Sequence, residues 1–378
     1  MKILIAGDFC PQKRVAELFD KGEYKTVLDD VKQTISDADY SIVNFECPVA
    51  DDATTAIRKQ GPSLRCSEKG VDAVKWVGFD CVTLANNHFL DQGAKGVENT
   101  LAACEKYAIE TVGGGRNLKE AANILYKDID GKKLAIINCC EHEFSIATES
   151  SPGSNPLNPI QQYYAIQEAR SKADYVLVIV HGGHEHYQLP SSRMQETYRF
   201  FVDAGADAVV NHHQHCFSGY EVYSGKPIFY GLGNFCFDGN RSGKEIWHEG
   251  YMVQLELKSN EKPIYYLIPY KQCGENPDVI LMKDDERKAF EKEIQEINSV
   301  IGDDVKLKAD FDEYVNIKFA SFSSILSPFN TRFCIGLVRR GYLPNFISKR
   351  KSLMMFNRIS CESHRDILLR VLNKIIHK

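Results

Sequence analysis

Cationic excess is missing from this chain: 46 lysines and arginines stand against 51 aspartates and glutamates, a formal charge of −5. A general nucleic-acid surface needs a basic face, so nucleic acid is not an expected partner. A local cationic site stays open, because a bound metal ion brings its own charge. Long apolar runs are missing as well. No stretch approaches the roughly 18 residues of a membrane span. The opening run 2–7 ends at Asp8, too soon for the apolar centre of a secretory signal. A cytoplasmic location is the expectation, with any membrane association made through a partner. Twelve cysteines are present, yet no two are spaced Cys-x-x-Cys, which argues against a cysteine zinc site. Cys81, Cys139 and Cys236 sit in strand-like apolar runs and read as buried, reduced thiols. Neither an internal repeat nor a low-complexity segment occurs.

What is present is a rhythm. The 378 residues suit one large core with an appendage. Short β-like runs at 2–7, 40–45, 80–85, 133–139, 174–180 and 207–210 alternate with helix-like stretches at 25–36, 69–78, 93–106, 160–172 and 192–204. That alternation predicts βαβ units and a largely parallel sheet. Asp130-Gly131 and Ser224-Gly-Lys226 punctuate two hairpins, and 251–257 and 263–270 read as two more strands, so parallel and antiparallel pairing mix. The fold class is therefore α/β. The core domain is expected over 1–272 and a helical extension over 280–378. The extension begins with a Glu/Lys/Gln-rich helix at 284–298 and ends in a basic amphipathic helix from 350 on. That last helix docks on its own core or, given Lys349, Arg350, Lys351 and Arg358, on a partner or membrane surface.

Polar residues gather where strands end. Six of the eleven histidines fall between 181 and 215, where proportion alone gives about one. His181 follows one apolar run, and His212, His213 and His215 follow another. Asp8 ends the first run, Asn44-Phe45-Glu46 the second and Asn86-Asn87-His88 the third. Strand carboxyl ends are where α/β sheets bind ligands. Oxygen and nitrogen donors of these kinds suit Mn, Fe, Zn or Mg rather than thiolate metals. Singly each has a milder reading: Asp8 as a helix cap, Asn87 as a turn residue, a lone histidine as a satisfied side chain. In an extended segment, His213 and His215 point the same way and reach one site.

In that order the residues resemble the CapA family of bacterial capsule and poly-γ-glutamate synthesis proteins, a branch similar to the calcineurin-like metallophosphoesterases. The resemblance runs from residue 3 to about 255. It rests on Gly7-Asp8, Asn44-Phe45-Glu46, Ala85-Asn86-Asn87-His88 with Asp91, Gly113-Gly-Gly-Arg-Asn117, His181-Gly-Gly-His-Glu185, His213-Gln214-His215 and Lys226-Pro-Ile-Phe-Tyr-Gly-Leu-Gly-Asn-Phe235 with Asp238. Three positions depart from the pattern. Gly182 stands where the family has Trp, which would open the pocket wall; Gln214 replaces Pro; Cys10 occupies the place of a histidine two residues after Asp8.

The resemblance implies a four-layer αββα sandwich with mixed sheets and a pair of divalent metal ions. Glu46 would bridge them, with Asp8 and His215 on one side and Asn87, His181 and His213 on the other. It makes His88 the general acid or a charge stabiliser at the leaving group, with Asp91 its candidate partner, and Glu185 a substrate or orienting residue. His184 and His186 then line the cleft and His212 turns away from it. Two functions compete. One is a hydrolase acting on a phosphoester or amide, with a phosphorylated substrate or an anionic polymer. The other is a non-catalytic metal cleft that holds an anionic polymer within a capsule-synthesis complex. Oligomeric state is not legible.

Overall fold

A computed structural model describes residues 1–239, 245–258, 261–323, 331–340, 342–343, 348–360 and 362–376. The chain opens on β1 (Lys2–Phe9), buried throughout after Lys2. Helices α1 (Lys13–Asp20) and α2 (Tyr24–Ser36) lead to β2 (Tyr40–Phe45), and α3 (Lys69–Val77) leads to β3 (Cys81–Thr83). Next come α4 (Gly93–Lys106) and β4 (Glu110–Val112). These four strands lie side by side in sequence order, all parallel. Side chains alternate across β1. Leu4 and Ala6 meet Val27, Val31, Val74 and Val97 of the helices, while Ile3 and Ile5 face the other way.

A second sheet follows. β5 (Leu125–Ile129) and β6 (Lys132–Cys140) form the expected hairpin, with φ of 49° and 73° at Asp130 and Gly131. Two consecutive left-handed residues give the turn whose twist matches the strands. α5 (Pro159–Lys172) leads into β7 (Tyr175–His181), and α6 (Ser192–Asp203) into β8 (Ala208–His212). The hairpin of β9 (Tyr220–Tyr223) and β10 (Lys226–Phe229) completes the order β9-β10-β8-β7-β6-β5. Asn158 and Ser191 cap α5 and α6 through their side-chain oxygens. Ile166 and Ala169 of α5 and Met194, Tyr198 and Phe201 of α6 are buried on the outer side of this sheet.

The chain then returns to the first sheet. β11 (Asn234–Cys236) pairs parallel with the end of β1. β12 (Glu249–Glu256) pairs antiparallel with its start, followed outward by β13 (Ile264–Gln272) and β14 (Val279–Leu281). Ile3, Ile5 and Ile42 of the first sheet share a single core with Leu134, Ile136, Leu177, Ile179 and Val210 of the second. Helices, sheet, sheet and helices make four layers, the expected architecture.

In its secondary structure and domain boundary the fold differs from the sequence reading in two places. The run 80–85 shrinks to the three residues of β3, because Asn86 folds back with its N–H on the Leu84 carbonyl at 3.0 Å. The core also runs past the expected boundary at 272, as far as Leu307. α7 (Asp284–Ile301) belongs to it: Phe290 and Ile294 enter the core between the sheets, and the Phe290 ring lies 4.6 Å from that of Phe217. Its polar composition hides one buried face.

The second compact unit, Lys308–Lys378, contains the end of α8 (Asp304–Ser323), then α9 (Arg332–Arg339), α10 (Lys349–Ser360) and α11 (Glu362–Ile376). His377 and Lys378 lie outside the described residues. Among the described residues, no helix is long and apolar enough to cross a membrane.

Candidate metal centre

The site forms where strands of the two sheets end. Gly7 lets β1 and the approach to β11 touch: a Cβ there would lie 2.0 Å from the Gly233 carbonyl oxygen. That closeness allows the Asp8 N–H to donate to Gly233 O at 3.1 Å. Asp8 is buried at this point. Its Oδ1 accepts from Asn44 Nδ2 at 2.7 Å, and its Oδ2 accepts the His213 N–H at 3.3 Å. Burial pushes its carboxyl up, but His212, His215 and Asn44 outweigh that and hold it below its ordinary range.

Glu46 differs. It follows β2, is fully buried, and neither carboxylate oxygen has a hydrogen-bond partner among the described residues. Burial, then the charges of Asp8 and Glu185, push its carboxyl well above the ordinary range. An unpaired buried carboxylate is costly unless a cation accompanies it. The surroundings suit a cation. Glu46 Oε1 lies 3.4 Å from His181 Nε2 and 3.7 Å from His215 Nε2. His181 Nε2 is in turn 3.1 Å from His213 Nδ1 and 3.0 Å from Asn87 Oδ1. Ligand atoms of Glu46, His181 and His213 lie within 4.8 Å of one another, and so do those of Asp8, Glu46 and His215. Glu46 is common to both groups. Burial, followed by the neighbouring imidazoles, lowers the pKa of His181 well below its usual value; burial also lowers that of His215. Both are thus held neutral, the form that binds metal. The donor set fits divalent ions of the oxygen- and nitrogen-binding kind.

His213 and His215 reach the site by a route other than the extended segment expected. Their φ values are 95° and 53°, left-handed for both. Non-glycine residues rarely adopt this backbone, and it clusters at functional sites. Asn234 then fixes His215: its Oδ1 lies 2.9 Å from Nδ1, which leaves Nε2 facing Glu46. Removing that orientation, as in Asn234→Ala, is expected to weaken metal binding about 10–100-fold, measured by calorimetric titration with Mn²⁺.

His88 stands beside Asn87, with its Nδ1 2.6 Å from Asp91 Oδ2. Lys59 completes this group, 2.5 Å from Asp91 Oδ1 and 3.2 Å from His88 Nδ1, its side chain only 3% exposed. Glu143 accepts from Asn87 Nδ2 at 3.2 Å and so turns Asn87 Oδ1 toward His181. Lys59, Glu143 and Asn234 are not legible as site residues in the sequence. The first two sit outside any motif, while Asn234 lies within one that gives no hint of what it touches.

Glu185 is not among the grouped ligands. Its side chain is 54% exposed. Burial raises its pKa, but the electrostatic influence of the nearby His215, His213, His186 and His88 rings outweighs this and lowers it. His186 lies 4.0 Å from Glu185, and its ring is 5.7 Å from that of Trp247. His184 also falls outside both ligand groups, its ring 6.3 Å from that of Tyr187. His212, expected to turn away, instead lies behind Asp8, with Nδ1 3.5 Å from Oδ1. Cys10 is buried outside both groups, and burial pushes its thiol up to about 11, so it supplies no thiolate near neutral pH. Gly182 does not open the wall: a Cβ there would lie 2.7 Å from Glu141 Cγ. Glu141 fills that space, held by the Gly183 N–H at 3.0 Å and by Arg193 at 2.5 Å.

A sequence profile described as "Bacterial capsule synthesis protein PGA_cap" matches residues 2–239. The chain belongs to that family. Among PGA_cap-like relatives, the capsule biosynthesis protein CapA of Bacillus anthracis is 33% identical over 277 residues, which cover 71% of this chain and 67% of that protein. The PGA biosynthesis protein CapA of Bacillus subtilis is 31% identical over 257 residues, 67% of each chain. In solved structures the likeness is weaker. A 5'-nucleotidase precursor from Thermus thermophilus has a TM-score of 0.42 at 11% identity, covering 80% of this chain and 59% of that one. A phosphatase from Mycoplasma pneumoniae has a TM-score of 0.41 at 16% identity, covering 71% and 93%. The PGA_cap match ends before β12, so the strands from 249 onward and α7 lie beyond it.

Proposed function

We propose that this PGA_cap protein is a metal-dependent hydrolase acting on a phosphoester or amide during synthesis of capsule, poly-γ-glutamate or a related anionic surface polymer. The observation that carries the reading is Glu46, a buried carboxylate without a hydrogen-bond partner among the described residues, which belongs to two ligand groups at once. Asp8, Glu46 and His215 would hold one divalent ion, and Glu46, Asn87, His181 and His213 the other. Such ions, whether manganese, iron, zinc or magnesium, supply an activated water and a clamp on the attacked group. The protein's own groups supply the rest. Asp91 holds His88 Nδ1, which leaves Nε2 to give a proton to the leaving atom. Lys59 neutralises Asp91 from its far oxygen. Glu185, at the exposed rim, orients the substrate.

Cys10 favours a second reading, because it lies outside both ligand groups and adds no further ligand on the Asp8 side. A loosely held or missing ion there would leave a cleft that binds an anionic polymer without cleaving it, within a capsule-synthesis complex. Metal content and turnover separate the two. The purified protein is assayed for bound metal and for hydrolysis of p-nitrophenyl phosphate and its bis ester with added Mn²⁺. The hydrolase reading expects about two ions per chain and Mn²⁺-dependent turnover. Full metal without turnover supports the binding role, and no metal even after Mn²⁺ addition overturns both.

A further inference from the structure

Charge is unevenly distributed along the chain. Residues 331–378 carry eleven lysines and arginines against two acidic residues, a net +9, while the first 330 carry 35 against 49, a net −14. The overall charge of −5 conceals a strongly basic end. The same end exposes its apolar residues. Among the described residues after Leu307, no hydrophobic side chain is buried. Leu353, Phe356 and Ile359 recur at three-residue spacing on α10 and are 61%, 71% and 51% exposed. Ile367, Val371 and Ile375 recur at four-residue spacing on α11 and are also exposed. Each spacing puts its three residues on one helix face. Lys349, Arg350 and Arg358 on α10 and Arg365 on α11 are exposed on the same helices.

We infer that α10 and α11 bind the surface of an anionic lipid bilayer. An exposed apolar face this extensive marks a surface that something covers. A second copy would bring one +9 segment against another. An anionic polymer or an acidic protein face would satisfy the charges and leave the leucine, isoleucine and phenylalanine side chains in water. A bilayer interface takes both: cations meet the acidic headgroups, and apolar side chains enter the headgroup–acyl boundary. The helices have 12 and 15 residues, short of the roughly 20 needed to span, so they would lie in the plane of the interface.

Membrane binding of this kind is independent of the metal centre and is tested with the full chain. Co-sedimentation is measured with vesicles of phosphatidylcholine alone and with vesicles containing phosphatidylglycerol, at low and physiological salt. Binding to the anionic vesicles is expected to be at least about tenfold tighter and to weaken with salt. Reversing Lys349, Arg350 and Arg358 to Glu should reduce it by at least about tenfold. Leu353→Ser with Phe356→Ser should also weaken it severalfold, at unchanged helix content by circular dichroism. Equal binding to both vesicles, or none, overturns the inference. So does binding that the charge reversals abolish but the serine pair leaves intact, which is the pattern of a polyanion. A dimer in analytical ultracentrifugation that Phe356→Ser converts to monomer would also overturn it, by assigning the face to a second copy.

Discussion

Replacing Glu46 with Gln is expected to strip the protein of metal and, at the same time, to stabilise its metal-free form. Both effects have one cause. The Glu46 carboxylate has no hydrogen-bond partner among the described residues and is pushed well above its ordinary pKa by burial and by Asp8. The folded metal-free chain therefore binds a proton there more tightly than the unfolded chain does. A group with a raised folded pKa of this acidic kind costs stability as pH rises above the ordinary carboxyl range, and the cost remains at neutral pH. Glutamine carries no charge to desolvate, so metal-free Glu46→Gln should melt higher than metal-free wild type at pH 7. Each kcal/mol recovered is worth about 1–2 °C in a core of this size, because the unfolding entropy grows with length. The advantage should shrink as pH falls toward the unfolded carboxyl pKa. With Mn²⁺ the order reverses: wild type gains about 2.7 kcal/mol at a hundredfold excess over Kd, while the variant gains almost nothing. Scanning calorimetry with and without Mn²⁺, together with elemental analysis, checks all three points. A variant that keeps the metal content of wild type would remove Glu46 from the centre.

His88→Ala is expected to abolish most turnover while leaving metal in place. His88 belongs to neither ligand group, and its Nδ1 is taken up by Asp91 at 2.6 Å. Losing a general acid typically costs about 10²–10⁴-fold. A substrate whose leaving group needs no proton, such as p-nitrophenolate, should lose less than an alkyl phosphoester. That difference, measured as kcat on the two substrates at equal metal content, separates proton donation from plain disruption. If metal is lost together with activity, His88 supports the ligands instead.

The strand ends are readable because each apolar run hands directly to its polar residue, so Asp8, Glu46, Asn87, His181, His213 and His215 can be gathered from local pattern alone. The partners that aim them cannot. Lys59 comes from a segment without periodicity, and Glu143 from a loop; each reaches the site only through tertiary contact. Asn234 stands in a recognisable motif, but its target, His215, is known only once β11 lies against β1. The direction of His213 and His215 escapes the sequence because left-handed backbone outside glycine leaves no mark there. The boundary at 272 falls short for a similar reason. α7 reads as polar, while Phe290, Ile294 and Ile301 make one side of it core.

The contact of Gly7 with Gly233 has a consequence for how the protein is made. Asp8 leaves the ribosome about 225 residues ahead of its backbone partner, Gly233. At about 5–20 residues per second, that is a wait of roughly 10–45 s. Throughout it, β1 lacks the neighbours on one side of its sheet, and for most of it the nascent protein has Asp8 and Glu46 without His181, His213 or His215. Capture of a metal by these residues would thus be a late event of biogenesis, and a polypeptide released early would carry half the ligand set with no means of completing it.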